Sequence, residues 1–181
     1  MSTYAVVSPE LLQKARTVKL LLLDVDGVLT RGDLVYTDQG EQTKTFNTLD
    51  GHGIKLLQAS GISVAIISGR DSPALRKRLS DLGVENIHAG VHDKKPAAEQ
   101  VLQKLGLSWS QVAAMGDDWP DLPMLIPAMF SCAPPNAHPE VLNRVDWVTR
   151  QLAGQGAVRE LCDLLLKANG HYDVLLQEAL Q

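Results

Sequence analysis

A basic surplus is missing. The chain carries 17 lysines and arginines against 21 acidic residues, a formal net charge of −4. Proteins that hold nucleic acid usually present the opposite balance to its phosphates, so nucleic acid is not an expected partner. Any site for an anionic substrate must be locally positive within a mildly acidic chain. Cysteine is scarce. Cys132 and Cys162 lie far apart in apolar surroundings with no CxxC spacing, and they read as reduced core residues of a cytoplasmic protein. Long apolar runs are also lacking. None approaches the roughly 18 residues needed to cross a bilayer, so no membrane partner is expected. The opening MSTYAVVSPELLQKA has no basic segment followed by a long apolar one, so no signal peptide is expected. There is no internal repeat, low-complexity tract or interdomain linker.

What is present is ordinary in bulk and particular in arrangement. The 181 residues, 45% apolar and 21% charged, suit one globular domain spanning 1–181. Apolar runs at 18–23, 62–67, 85–89, 111–115, 129–133 and 147–149 read as strands. Amphipathic segments at 72–82, 95–105 and 156–168 read as helices, and another starts near Asp50. Pro73 opens the first of these and Gly83 closes it. Alternation of this kind, with strands apolar throughout, predicts an α/β fold: a Rossmann-like three-layer sandwich with a parallel sheet. Residues 34–47 (LVYTDQGEQTKTFN) break the pattern. Their alternating character around Asp38-Gln39-Gly40 predicts a protruding β-hairpin.

Polar residues cluster where strands end. Asp24 and Asp26 follow the first strand, Ser68-Gly69-Arg70 the second, Asp93-Lys94-Lys95 the third and Gly116-Asp117-Asp118 the fourth. In an open parallel sheet, ligands bind beyond the carboxyl ends of the strands, so all four groups should meet at one edge. Asp24, Asp26, Asp117 and Asp118 could not all stay ionised in one small volume without a cation. An all-oxygen donor set favours a hard divalent ion, with Mg²⁺ the expected cofactor. The Ser68 hydroxyl, the Lys94 ammonium and glycine N–H groups would add a phosphate site. An aspartate beside the phosphorus could then serve as a nucleophile.

The four groups together resemble the signature of the haloacid dehalogenase-like phosphohydrolase superfamily. DVDGV resembles its first motif, Ser68 in IISGR its second, Lys94 in DKKPA its third and GDDWPD its fourth. The resemblance implies Asp24 as nucleophile and metal ligand. It implies Asp26 as general acid and base, with its backbone carbonyl on the metal. Ser68 would hold a phosphoryl oxygen, Lys94 would neutralise charge, and Asp117 would bind Mg²⁺ with Asp118 close by. Asp121 is expected to support these residues rather than bind. Between the motifs there is room only for the hairpin, two helices and a strand, so no cap domain is expected.

Beyond the motifs, FNTLDGHGI and AGQGAVRE resemble segments of the capless, tetrameric branch, the 3-deoxy-D-manno-octulosonate 8-phosphate phosphatases. That resemblance implies hydrolysis of a small phosphorylated sugar acid through an aspartyl-phosphate, in lipopolysaccharide precursor biosynthesis. A related phosphatase for a nine-carbon sugar-acid 9-phosphate and a catalytically silent oligomerisation module stay open as alternatives. The expected substrate contacts are Gly69, Arg70 and Asp50, with Arg78 as the cation for the substrate carboxylate. An isolated two-stranded hairpin is marginal in water and leaves its edges open. The family implies a homotetramer in which four hairpins close a barrel, and in which the tail 155–181, carrying Arg159, approaches a neighbouring cleft.

Overall fold

Six of the apolar segments pair into one parallel sheet in the computed structural model, which describes residues 7–181. The strands are β1 (Leu20–Leu23), β4 (Ser63–Ser68), β5 (Asn86–Ala89), β6 (Val112–Met115), β7 (Phe130–Ala133) and β8 (Trp147–Val148), while β2 (Val35–Thr37) and β3 (Gly40–Thr43) form a separate antiparallel hairpin. The sheet order is β5-β4-β1-β6-β7-β8. The chain builds outward from β1 on one side, then returns to build on the other. β1 therefore lies between β4 and β6, at the point where the direction of winding reverses.

The four leucines of β1 are each 0% exposed. Period-two geometry sends them alternately to opposite faces. Leu21 and Leu23 meet α1 (Pro9–Arg16), α2 (Thr48–Ala59), α3 (Pro73–Leu82) and α7 (Ala157–Ala168) through Ala15, Leu57, Leu79 and Leu161. Leu20 and Leu22 meet α4 (Lys94–Leu105), α5 (Leu122–Leu125) and α6 (Pro139–Leu142) through Val101, Met124 and Val141. Two apolar cores thus sandwich the sheet, and each buried leucine contributes about 1.5–3 kcal/mol. This is the expected Rossmann-like three-layer arrangement with no cap domain among the described residues.

Several boundaries differ from expectation. The first strand begins at Leu20 rather than residue 18, because Val18 still bonds back to Ala15 at the end of α1. Helix α1 itself was not expected. Its signal was local: Ser8 Oγ accepts a hydrogen bond from the Leu11 N–H, and Pro9 occupies the first turn. The long C-terminal helix ends at Ala168, as expected, but α8 (Tyr172–Ala179) follows it. Helix α4 starts one residue early, at Lys94, because Asp93 caps it by accepting from the Lys95 N–H. The hairpin strands occupy only part of 34–47. Residues 44–47 leave the pairing and lead to Asn47, which caps α2 through its side chain.

Candidate functional site

Leu23 pairs in register with Ile66 of β4 and with Met115 of β6. The residues after each strand therefore emerge side by side. Asp24 is tied to this edge by its own N–H, which donates to the Met115 carbonyl at 3.1 Å. The result is a cleft of about 260 Å³ lined by Asp24, Asp26, Ser68, Gly69, Arg70, Lys94, Asp117, Asp118, Pro120 and Asp121. Eight of these ten residues were expected at a strand end or helix start; the topology delivers them to one place.

Lys94 is the cation of the cleft floor. It is 5% exposed, and its Nζ donates to Asp24 Oδ1 at 2.6 Å and to Asp121 Oδ1 at 2.5 Å. Burial opposes its charge, but Asp24 and Asp121 outweigh that and hold its pKa above the ordinary value. Lys95, one residue on, is exposed. The helix start can direct only one of the two inward, and it directs Lys94.

Asp121 is more engaged than a motif match alone suggests. Its second oxygen accepts from the N–H groups of Asp117, at 2.9 Å, and Asp118, at 3.2 Å. One carboxylate thereby shapes the turn that presents Asp117 and also steadies Lys94. Asp118 stays exposed and accepts from the Trp119 N–H at 2.8 Å. Gly27 makes room for Asp117. Its φ is +90°, and a Cβ there would stand 2.1 Å from Asp117 Oδ2, so only glycine fits.

The donor chemistry suits a hard divalent cation. One oxygen from each of Asp24, Asp117 and Asp121 lies within 4.8 Å of the others. Burial, and then the neighbouring Asp121, push Asp24 up to about 6 despite Lys94. Burial, followed by Asp24 and Asp121, pushes Asp117 up to about 8. A second cation would return both to the charged form. The Asp26 side chain is not part of this trio. It faces Lys44 instead, whose Nζ donates to Asp26 Oδ1 at 2.6 Å, and Thr30 Oγ1 donates to the same oxygen at 3.3 Å.

A haloacid dehalogenase-like hydrolase family model matches residues 85–161. The 3-deoxy-D-manno-octulosonate 8-phosphate phosphatase of Escherichia coli K12 is 42% identical over 170 residues, 94% of this chain and 90% of its own. The chain belongs to this phosphatase family. Solved structures agree. The phosphatase from Yersinia pestis superposes with a TM-score of 0.93 at 40% identity, covering 95% of this chain and 93% of that one. The phosphatase from Moraxella catarrhalis, solved with a magnesium ion, a phosphate ion and a KDO molecule, superposes at 0.92 with 39% identity, covering 95% and 99%.

Asp50 and Arg78, expected among the substrate contacts, are not among the residues that line this cleft. Asp50 is 1% exposed. Its oxygens accept from the N–H groups of Gly156 and Arg159, at 3.3 and 2.8 Å. It therefore caps α7, and burial pushes its pKa up against those bonds. Arg78 donates to the Asn47 carbonyl at 3.1 Å and lies over the Phe46 ring. It pins the start of α2 to α3 and does not line the cleft. Arg70 does line it, and its Nη1 donates to the Tyr36 hydroxyl of the hairpin at 2.9 Å. Lys44 and Thr30 went unforeseen. KTF within an alternating hairpin looks like a solvated strand, and nothing local marks Lys44 as buried.

Proposed function

We propose that the chain hydrolyses 3-deoxy-D-manno-octulosonate 8-phosphate to the free sugar acid and phosphate in a Mg²⁺-dependent reaction. The convergence of Asp24, Ser68, Lys94 and Asp117 in one cleft, in a chain this similar to those phosphatases, carries the reading. Asp24 attacks the phosphorus and the bond to the sugar oxygen breaks. Asp26 gives that oxygen its proton, leaving an aspartyl-phosphate. Asp26 then takes a proton from water as the water attacks the phosphorus, and phosphate leaves with Asp24 restored. Ser68 Oγ and the Gly69 N–H hold the phosphoryl oxygens, and Lys94 offsets their charge. Asp24, Asp117 and the Asp26 carbonyl would hold the ion, which supplies charge neutralisation at the phosphoryl group. Arg70, the arginine lining this cleft, takes over from Arg78 as the cation for the substrate carboxylate.

The working unit is a homotetramer in the cytoplasm, each chain contributing one domain. Its support is the hairpin, where Val35 and Tyr36 are 54% and 58% exposed, and the two free, buried thiols. A substrate panel tests the assignment. With Mg²⁺ present, kcat/KM is expected to be highest for the eight-carbon sugar-acid phosphate. It should fall at least about tenfold, or ~1.4 kcal/mol, for the nine-carbon 9-phosphate and for sugar phosphates without a carboxylate. A preference for the nine-carbon ester would transfer the assignment to it.

A further inference from the structure

Asp26 and Lys44 stand 18 residues apart in sequence and meet at 2.6 Å. The Lys44 side chain is 1% exposed, against 20% for Asp26. A buried ammonium is costly unless a carboxylate meets it, so this contact has structural weight. It also divides the labour of the Asp26 carboxylate. Oδ1 receives both Lys44 Nζ and Thr30 Oγ1. Oδ2 is buried and has no hydrogen-bond partner among the described residues. An unpartnered buried oxygen is costly, and a partner that arrives with the substrate would satisfy it.

We infer that Lys44 is a positioning residue for the acid–base chemistry of Asp26, fixing the carboxylate through Oδ1 so that Oδ2 is the oxygen that carries the transferred proton. This rests on the phosphatase reading above and deepens it. Lys44 can donate to Oδ1 in both halves of the cycle, because Oδ1 keeps its lone pairs whether or not Oδ2 is protonated. As the Asp24–phosphorus bond forms and the phosphorus–oxygen bond breaks, the electron pair goes to the leaving oxygen. The proton from Oδ2 follows it. In the second half Oδ2 recovers a proton from the attacking water. Lys44 lies one residue past β3, so the base of the hairpin reaches the catalytic acid of its own chain.

The test separates leaving groups. An alkyl phosphate needs its departing oxygen protonated, whereas p-nitrophenolate departs without a proton. kcat/KM reports events up to formation of the aspartyl-phosphate, which isolates the acid step from hydrolysis of the intermediate. Lys44→Met should lower kcat/KM by about 10²-fold for the alkyl ester that the unmodified protein cleaves best. The loss for p-nitrophenyl phosphate should be at least tenfold smaller. Lys44→Arg should recover most of the alkyl-ester activity. Lys44→Gln, which keeps a donor, gives a second reading if the methionine variant unfolds by circular dichroism. In an Asp26→Asn background, Lys44→Met should add little further loss. Equal losses on the two esters, or full additivity with Asp26→Asn, would overturn the assignment of Lys44. Failure of the unmodified protein to cleave any phosphate ester would instead overturn the phosphatase reading, and this one with it.

Discussion

A cation shut away from water survives only where carboxylates compensate it, and Lys94 has two within 2.6 Å. The arrangement cuts both ways. Removing the ammonium leaves Asp24 and Asp121 facing each other in a buried space, and removes the positive charge beside the phosphate. Lys94→Ala is therefore expected to cost about 10²–10³-fold in kcat and to destabilise the fold by about 3–5 kcal/mol. Lys95→Ala should leave both within about twofold and 0.5 kcal/mol, as for an exposed substitution. Steady-state kinetics and urea melts on the two variants make the comparison. Similar losses from both would mean that the helix start does not select between them.

The hairpin is the element on which the proposed tetramer rests. Among the described residues its two strands pair only with each other, and a two-stranded ribbon has little stability of its own. Leu34, Val35 and Tyr36 are all exposed on it. Within the chain it is anchored at its base by Lys44 on Asp26 and along one strand by Tyr36 on Arg70. Replacing residues 35–43 with a short glycine-serine turn should leave the sheet intact, because both apolar cores lie outside it. The far-ultraviolet spectrum and melting cooperativity should persist. Light scattering should show species smaller than the proposed tetramer. A tetramer that survives the deletion would place the subunit contacts elsewhere.

For the molecule as a whole, the cleft makes stability depend on pH. Asp24 and Asp117 are raised from about 3.8 to about 6 and about 8. From about 3.8 up to about 8 these groups leave the folded protein holding more protons than the unfolded chain. Stability of the metal-free protein therefore falls as pH rises through that window. A divalent ion needs the carboxylates ionised, so it should restore more stability at pH 8 than at pH 5.5. Thermal melts in EDTA and in excess Mg²⁺ at the two pH values provide the measurement. A melting temperature in EDTA that is flat or rises with pH would contradict the carboxylate crowding.

Much of this molecule is written locally. Four consecutive buried leucines, caps such as Ser72 and Asp93, and glycines at Gly83 and Gly106 specify strands and helices through contacts within a few residues. Once parallel strands are inferred, the residues after each must gather at one edge, so Asp24, Ser68, Lys94 and Asp117 were legible together. What the sequence left open depends on elements brought together from far apart. Asp50 and Arg78 carry charges suited to a substrate, yet α7 and the Asn47 carbonyl take them, because helix packing set those partners at 2.8 and 3.1 Å. Lys44 looks solvated until the hairpin base folds over the loop after β1. Local patterns determined which residues stand at strand ends. Only tertiary packing decided which charges are buried, because burial depends on distant neighbours that no short stretch of chain contains.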